Sequence, residues 1–175
     1  TTINGSTGGD AAEDAIVPNF YYARRLNEKA VVGFGVNVPF GLATEYDSDW
    51  VGRYHAVRSE VRTINLNPGI GYKFSDQLSV GGGINVQYVD AELTQKVDFG
   101  TICNTPIPLA PACSGPLLPS QADGSAIVTA DDISYGFNLG LLWSPLDSTR
   151  VGFAYRSKIN HKLEGDFEIS EVPAN

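Results

Sequence analysis

The chain has 175 residues, a mass of 18.7 kDa and a net charge of −8 at pH 7. That length suits a single domain, and an acidic chain without a basic cluster has no footing on phosphates, which excludes nucleic acid as a partner. No apolar run approaches the roughly 18 residues of a transmembrane helix, so only strands could carry this chain across a bilayer.

The chain opens TTINGSTGGD, with no Met, no charged n-region and no apolar h-region. It reads as a mature form whose signal peptide is gone, or as an internal piece of a longer protein. Residues 1–14 are small, polar and acidic, and read as loop. AIVPNFYYARRL, from Ala15, is the first expected strand, with Pro18 marking an edge or an irregular end. LNEK at 26–29 is a tight turn. In the second strand Ala30, Val32, Phe34, Val36 and Val38 share a face, opposite Val31, Gly33, Gly35 and Asn37, and Pro39 stops it. Residues 39–54, PFGLATEYDSDWVGRY, read as a long loop.

The third strand is expected over about 55–74. Ile64, Leu66, Pro68, Ile70 and Tyr72 fall on one face, and Thr63, Asn65, Asn67, Gly69, Gly71 and Lys73 on the other. Pro68 cannot donate to a ladder, so a kink or interruption is expected there. FSDQ at 74–77 is a short turn. The fourth strand, within QLSVGGGINVQYVDAEL, has the clearest period of two. Leu78, Val80, Gly82, Ile84, Val86 and Tyr88 alternate with Ser79, Gly81, Gly83, Asn85 and Gln87. Such alternation is a strand with one apolar and one polar face. It runs past the roughly 5–6 residues of an ordinary strand and reaches the 9–11 of a tilted transmembrane one.

Residues 98–126 form a long Pro-rich loop holding Cys103 and Cys113, the only two cysteines. With no His or further Cys nearby, a metal site lacks ligands, so a disulfide formed in an oxidising compartment is the expectation. In the fifth strand Ile133, Tyr135, Phe137, Leu139, Leu141 and Trp143 alternate with Asp132, Ser134, Gly136, Asn138 and Gly140. SPLDS at 144–148 is a turn. The sixth strand sets Val151, Phe153, Tyr155 and Ile159 against Gly152, Ala154, Arg156, Lys158 and Asn160.

The connections alternate in length: 26–29, 74–77 and 144–148 are short, whereas 39–54 and 98–126 are long. Outer-membrane barrels have short turns on one side and long external loops on the other. Tyr72, Phe74 and Trp143 would then line one rim and Tyr54, Tyr88 and Tyr135 the other, as two interfacial aromatic belts. A cation facing the bilayer midplane costs about 2–4 kcal/mol, so the polar faces bearing Lys73, Arg156 and Lys158 should point into the lumen. The expected fold is therefore all-β: an antiparallel transmembrane β-barrel fragment of about six long strands, in a single domain spanning 1–175.

These segments resemble the outer-membrane long-chain fatty acid transporter family, which includes aromatic hydrocarbon uptake channels. The resemblance rests on Pro39, Phe40, Gly41 and Leu42 with Thr44 and Tyr46, on Trp50 with Gly52, Arg53 and Tyr54, and on Thr63, Asn65, Asn67 and Pro68. Ala91 and Leu93, then Phe153, Tyr155, Arg156 and Ser157, then Gly165, Asp166 and Phe167 continue it across roughly 16–168. The family resemblance implies fourteen strands with an N-terminal hatch, so this chain would be the central part of a protein that is monomeric at full length. It also implies a Gram-negative outer membrane with its lipopolysaccharide, and passive uptake of hydrophobic compounds, most of all long-chain fatty acids. Substrate would meet a groove between two external loops, pass to an apolar barrel pocket and leave sideways at a kinked strand. By order, those loops are 39–54 and 98–126 and the kinked strand is 55–74.

The candidate substrate contacts are Phe40, Leu42, Trp50, Ile107, Leu109, Leu117 and Leu118, with Arg156 and Lys158 for a carboxylate. Two competing readings stand beside them: the loop's apolar groups pack on a neighbouring loop or on lipopolysaccharide, and the two cations pair with Asp90, Glu92 or Asp132. Asn65, Asn67 and Pro68 are candidates for a lateral gap or for a simple bulge. His55 and His161 lack carboxylates at metal-ligand spacing, and no nucleophile, phosphate-loop or paired-carboxylate motif is present. No catalytic residue, metal or cofactor is expected. The alternatives to a channel are a structural or adhesion-type outer-membrane barrel and a soluble lipid-binding barrel.

Overall fold

The structure is a computed structural model and describes residues 3–103 and 119–171. Strands β1 (Phe20–Arg25), β2 (Ala30–Asn37), β3 (Gly41–Glu45), β4 (Arg58–Lys73), β5 (Leu78–Asp98), β6 (Asp123–Leu146), β7 (Thr149–Arg156) and β8 (Glu164–Ser170) form one antiparallel sheet, joined among the described residues by one short helix, α1 (Phe99–Cys103). The order is β1-β2-β4-β5-β6-β7, while β3 also pairs with β4 and β8 also pairs with β6. The eight segments therefore make six wall strands, because β2 and β3 share one wall position and β7 and β8 another. The connection after β5 is shorter than the sequence suggests, since β5 runs to Asp98 and β6 starts at Asp123. Residues 41–45, expected as loop, pair with 58–62 as a strand.

Register fixes two faces. Tyr72, Val80 and Leu141 stand side by side across β4, β5 and β6, followed by Ile70, Gly82 and Leu139, then Leu66, Val86 and Tyr135, then Ile64, Tyr88 and Ile133. This apolar face is open: Ile84 is 57% exposed and Tyr135 68%. The opposite face is crowded, with Asn85 at 1% and Asn65 at 2%. The molecule is thus apolar outside and polar inside, the reverse of a water-soluble sheet. Nothing covers the open face among the described residues. From Ile133 to Trp143 the apolar stripe on β6 spans about 33 Å of extended chain, or about 25 Å of depth at a tilt of about 40°, which matches the hydrocarbon layer.

Two wall strands leave the ladder and rejoin it one residue out of register. Asn37 pairs with Asn65, but Gly41 pairs with Arg62. Residues 38–40 make up the difference. There Thr63 repairs the ladder: its N–H donates to the Phe40 carbonyl at 3.0 Å, and its Oγ1 accepts from the Phe40 N–H at 2.9 Å. The second departure, between β7 and β8, is longer. Arg156 pairs with Asn138 and Glu164 pairs with Asp131, so residues 132–137 of β6 have no strand partner on that side. The expected sixth strand over 151–160 is corrected accordingly: it stops at Arg156 and resumes at Glu164.

Candidate functional site

Polarity switches sides along the strands. On β4 the outward, even-numbered positions run Arg58, Glu60, Arg62 and then Ile64, Leu66. On the outer face Arg62 lies level with Asp90 and Asp131, and Glu60 with Glu92. Arg58 and Arg62 bind these acids: Arg62 Nη2 donates to Asp90 at 3.0 Å, and Arg58 lies 3.0 Å from Glu45 and 3.6 Å from Glu92. The Arg58 guanidinium beside Glu60 holds that carboxyl below its usual range. A charged band directly above the apolar stripe is the geometry of a membrane interface.

The inner face does the opposite. Beyond that boundary it becomes apolar, with Leu42 beside Val61 and Ala91, and Leu93 beside Val128 and Phe167. Leu42 is 58% exposed and Phe167 63%. Apolar groups lining the mouth of a barrel, where water would favour polar ones, form a surface suited to a hydrophobic ligand. Below the boundary the inner face carries an amide cluster. Asn65 Nδ2 donates to Asn37 and Asn85 at 3.1 Å each, and Asn85 Nδ2 donates to Asn138 Oδ1 at 3.1 Å. Under it the wall is backbone, with Gly33, Gly69, Gly81 and Gly140 facing a groove that Arg156 borders.

Pro68 does not break its strand. β4 is continuous and its register is the same on either side, and only the pairs at Asn67 and Pro68 drop out of the β4–β5 ladder. The expected kink is therefore corrected to a two-residue gap on one side, since pairing with β2 runs through Pro68 without loss. Pro68 has no N–H to offer the Ile84 carbonyl. Asn67 Nδ2 supplies one at 2.8 Å and reaches Asn138 Oδ1 at 2.8 Å. These side chains fold over Gly83, where a Cβ would sit 3.0 Å from Asn67 Nδ2 and 2.9 Å from the Pro68 carbonyl.

The loop 46–57 is clamped to the far strands. Arg53, 5% exposed, donates from Nε to Asp123 Oδ2 at 2.7 Å and from Nη2 to Tyr54 Oη at 2.9 Å, and Tyr54 donates to Asp123 Oδ1 at 2.7 Å. Its Nη1 donates to the Asn4 carbonyl at 2.9 Å, which draws in the N-terminal segment. Trp50 stacks on Tyr46 at 4.1 Å and donates its indole N–H to the Ala56 carbonyl at 2.7 Å. At the base of the next loop Asp98 accepts N–H bonds from Thr101 and Ser120, each at 3.0 Å. Burial pushes the Asp98 carboxyl up, but the bonds from Thr101, Ser120 and Gly100 outweigh it and hold the group below its usual range.

Of the expected site residues, Leu42 lies on the apolar mouth and Phe40 is exposed two residues before it. Trp50 is half-buried in loop packing. Arg156 ends β7 beside Asn138, and Lys158 sits beyond the strand in the 157–163 detour. Neither has an ion pair among the described residues. The pairing envisaged with Asp90 or Glu92 does not occur, because both lie on the outer face with Arg62 and Arg58, while Asp132 binds His161 at 2.8 Å. Cys103 is disulfide-bonded. Its expected partner Cys113, like Ile107, Leu109, Leu117 and Leu118, lies outside the described residues. Val61, Leu93, Val128 and Phe167 were missed, although the switch from charged to apolar along the even positions 58–66 signals the boundary. Among the described residues no cluster of His, Cys, Asp or Glu could hold a metal.

The family model described as outer membrane protein transport protein (OMPP1/FadL/TodX) matches residues 2–175. An outer membrane protein of Neisseria meningitidis serogroup B is 36% identical over 170 residues, which cover 95% of this chain and 36% of that protein. The long-chain fatty acid transport protein of Escherichia coli K12 is 26% identical over 166 residues, covering 89% of this chain and 37% of the relative. The crystal structure of a Pseudomonas aeruginosa FadL homologue superposes with a TM-score of 0.77 at 30% identity, covering 93% of this chain and 36% of that one. The monoaromatic hydrocarbon channel CymD shares the fold, with a TM-score of 0.59 at 18% identity over 87% of this chain and 41% of its own. This chain spans little more than a third of the length of its relatives. With its inverted sheet and its charged band, the chain belongs to the outer membrane transport protein family OMPP1/FadL/TodX, as a segment of a β-barrel in a Gram-negative outer membrane.

Proposed function

We propose that the full-length protein is a passive channel for hydrophobic compounds, with long-chain fatty acids as its principal substrates, and that it performs no chemistry on them. The observation that carries this reading is the inversion of polarity at the mouth, where Leu42, Val61, Leu93, Val128 and Phe167 present an apolar inner surface above the membrane. A hydrocarbon chain gains about 25 cal/mol for each Å² it buries on such a surface. Ile107, Leu109, Leu117 and Leu118 would extend that surface on the neighbouring loop, whose base a Cys103–Cys113 disulfide would close. Phe40 would edge it, and Trp50 would hold the facing loop in shape. Arg156, exposed beside Asn138, and Lys158 would meet a carboxylate lower in the lumen.

Lateral release at the Asn65–Asn67–Pro68 seam is supported by the two missing ladder pairs there. The charged outer band would meet lipopolysaccharide headgroups, and the full-length barrel would act as a monomer. The test uses the full-length protein and a fluorescent long-chain fatty acid. Joint replacement of Leu93→Glu and Phe167→Glu should weaken binding at least tenfold, while a monoaromatic hydrocarbon competes with lower affinity. Unchanged affinity in the double variant would remove the mouth from the binding path.

A further inference from the structure

The detour between β7 and β8 leaves the wall over seven residues. Seven residues, 157–163, stand against six of β6, 132–137, so a straight continuation needs only a one-residue bulge. Instead the segment turns inward and lies on the inner face of β6. Ser157 anchors one end, with its N–H on the Phe137 carbonyl and its Oγ accepting the Phe137 N–H, both at 2.9 Å. Ile159 then sits over Gly136, where a Cβ would lie 2.7 Å from Ile159 Cγ1.

Further along, His161 Nδ1 lies 2.8 Å from Asp132 Oδ2 and Nε2 lies 3.0 Å from Gln87 Oε1. The Lys162 N–H donates to the same Asp132 oxygen at 3.3 Å. This strap crosses the wall between the apolar mouth, at Val128 and Phe167, and the glycine-lined groove below, at Asn138 and Gly140. Its inward position leaves the edge of β6 over 132–137 without a strand partner at the depth of Ile133 and Tyr135. Backbone at membrane depth is tolerated outside a ladder only where protein or a cavity receives it.

We propose that residues 157–163 form a two-position strap, held inside the barrel by His161 on Asp132 and Gln87 and otherwise able to rejoin β6 in the wall. In the inward position it narrows the passage from mouth to groove, and in the wall position it opens that passage and completes the ladder. The His161 contacts choose between them, since the wall position gives up both and gains backbone pairs with 132–137 in return. Asp132 from β6 and Gln87 from β5 face the ring. Lys158, Lys162 and Glu164 lie along its own segment, and Asp131 and Asp90 point to the outer face of those strands.

The strap rests on the barrel geometry and not on any substrate, so its test needs none. Magic-angle-spinning NMR of the full-length protein in lipid bilayers reads the backbone amide-to-amide and Hα-to-Hα contacts of a ladder between 132–136 and 158–163, which the side-chain contacts of the inward strap do not give. In the parent these contacts should be absent. In His161→Ala they should appear, with the wall-to-inward ratio up about tenfold, in proportion to one hydrogen bond to a carboxylate. Gly136→Ala, which fills the seat of Ile159, should also drive the strap into the wall. Wall contacts in the parent equal to those in His161→Ala, or an inward strap in Gly136→Ala, would each overturn the proposal.

Discussion

Replacing Ile84 by Arg separates a wall wetted by lipid from one wetted by water. Ile84 is 57% exposed and stands opposite Phe137. On a water-facing sheet an exposed Ile→Arg change falls within about 0.5 kcal/mol of neutral. Here the residue is four positions from Tyr88 and four from Val80, near the middle of the outward stripe. Four residues of strand are about 13 Å, which a tilt of about 40° reduces to about 10 Å of depth on either side. That places the guanidinium near the midplane, where Arg costs about 2–4 kcal/mol. The folding equilibrium should shift by a factor of about 30 to 900. Ile64, in the last apolar row before Arg62, should show about 0–1 kcal/mol for the same change. The assay is urea titration of the full-length protein in phospholipid vesicles, followed by the gel mobility of the folded barrel and by tryptophan fluorescence. Equal costs at 84 and 64, or a stabilising Ile84→Arg, would refute the depth assignment.

Asn67→Leu removes the donor that serves the Ile84 carbonyl beside Pro68, and should cost about 1–3 kcal/mol in the same titration. Leu keeps the branched four-atom shape, so a neutral result would mean that the carbonyl finds another partner. Arg53→Met strips a buried cation from Asp123 and Tyr54. It should cost about 3–5 kcal/mol and expose the 46–57 loop to limited proteolysis. Protease resistance equal to the parent's would show that the clamp does not hold that loop. Asp98 gives a pH dependence of known sign. Its folded-state pKa is depressed, so its contribution is complete above the ordinary carboxylate range and is lost as pH falls through the folded value. Acid should therefore loosen the base of the 99–122 connection, read as faster hydrogen exchange around Thr101 relative to the intrinsic rate. In Asp98→Asn the added acid sensitivity should disappear.

The rows of the wall were legible because period two needs no partner strand. Ile84 beside Asn85, and Phe137 beside Asn138, declare their faces alone. The two departures from the ladder were not legible. A one-residue offset exists only between two strands, and Phe153, Tyr155 and Ile159 all stand at odd positions although the last of them turns inward onto Gly136. The pairing of His161 with Asp132 spans 29 residues and follows from that inward turn, so no local spacing announced it. Pro68 did signal a missing donor. What sequence reasoning could not supply was the neighbour that makes it good, since Asn67 reaches the Ile84 carbonyl only because β5 lies in that register. Apart from Leu42, the mouth was missed for a different reason. Its apolar groups lie on the inner face, which the lower half of every strand marks as polar.

The most direct test of the inverted wall is a nitroxide scan along β6, residues 126–143, in the full-length protein reconstituted in lipid bilayers. Accessibility to oxygen, which concentrates in hydrocarbon, is compared with accessibility to a water-soluble nickel chelate. The account predicts high oxygen and low nickel at 133, 135, 137, 139 and 141, with a change of sign between Ile133 and Asp131. High nickel and low oxygen at 135 and 137 would mean that water, not lipid, bathes that face.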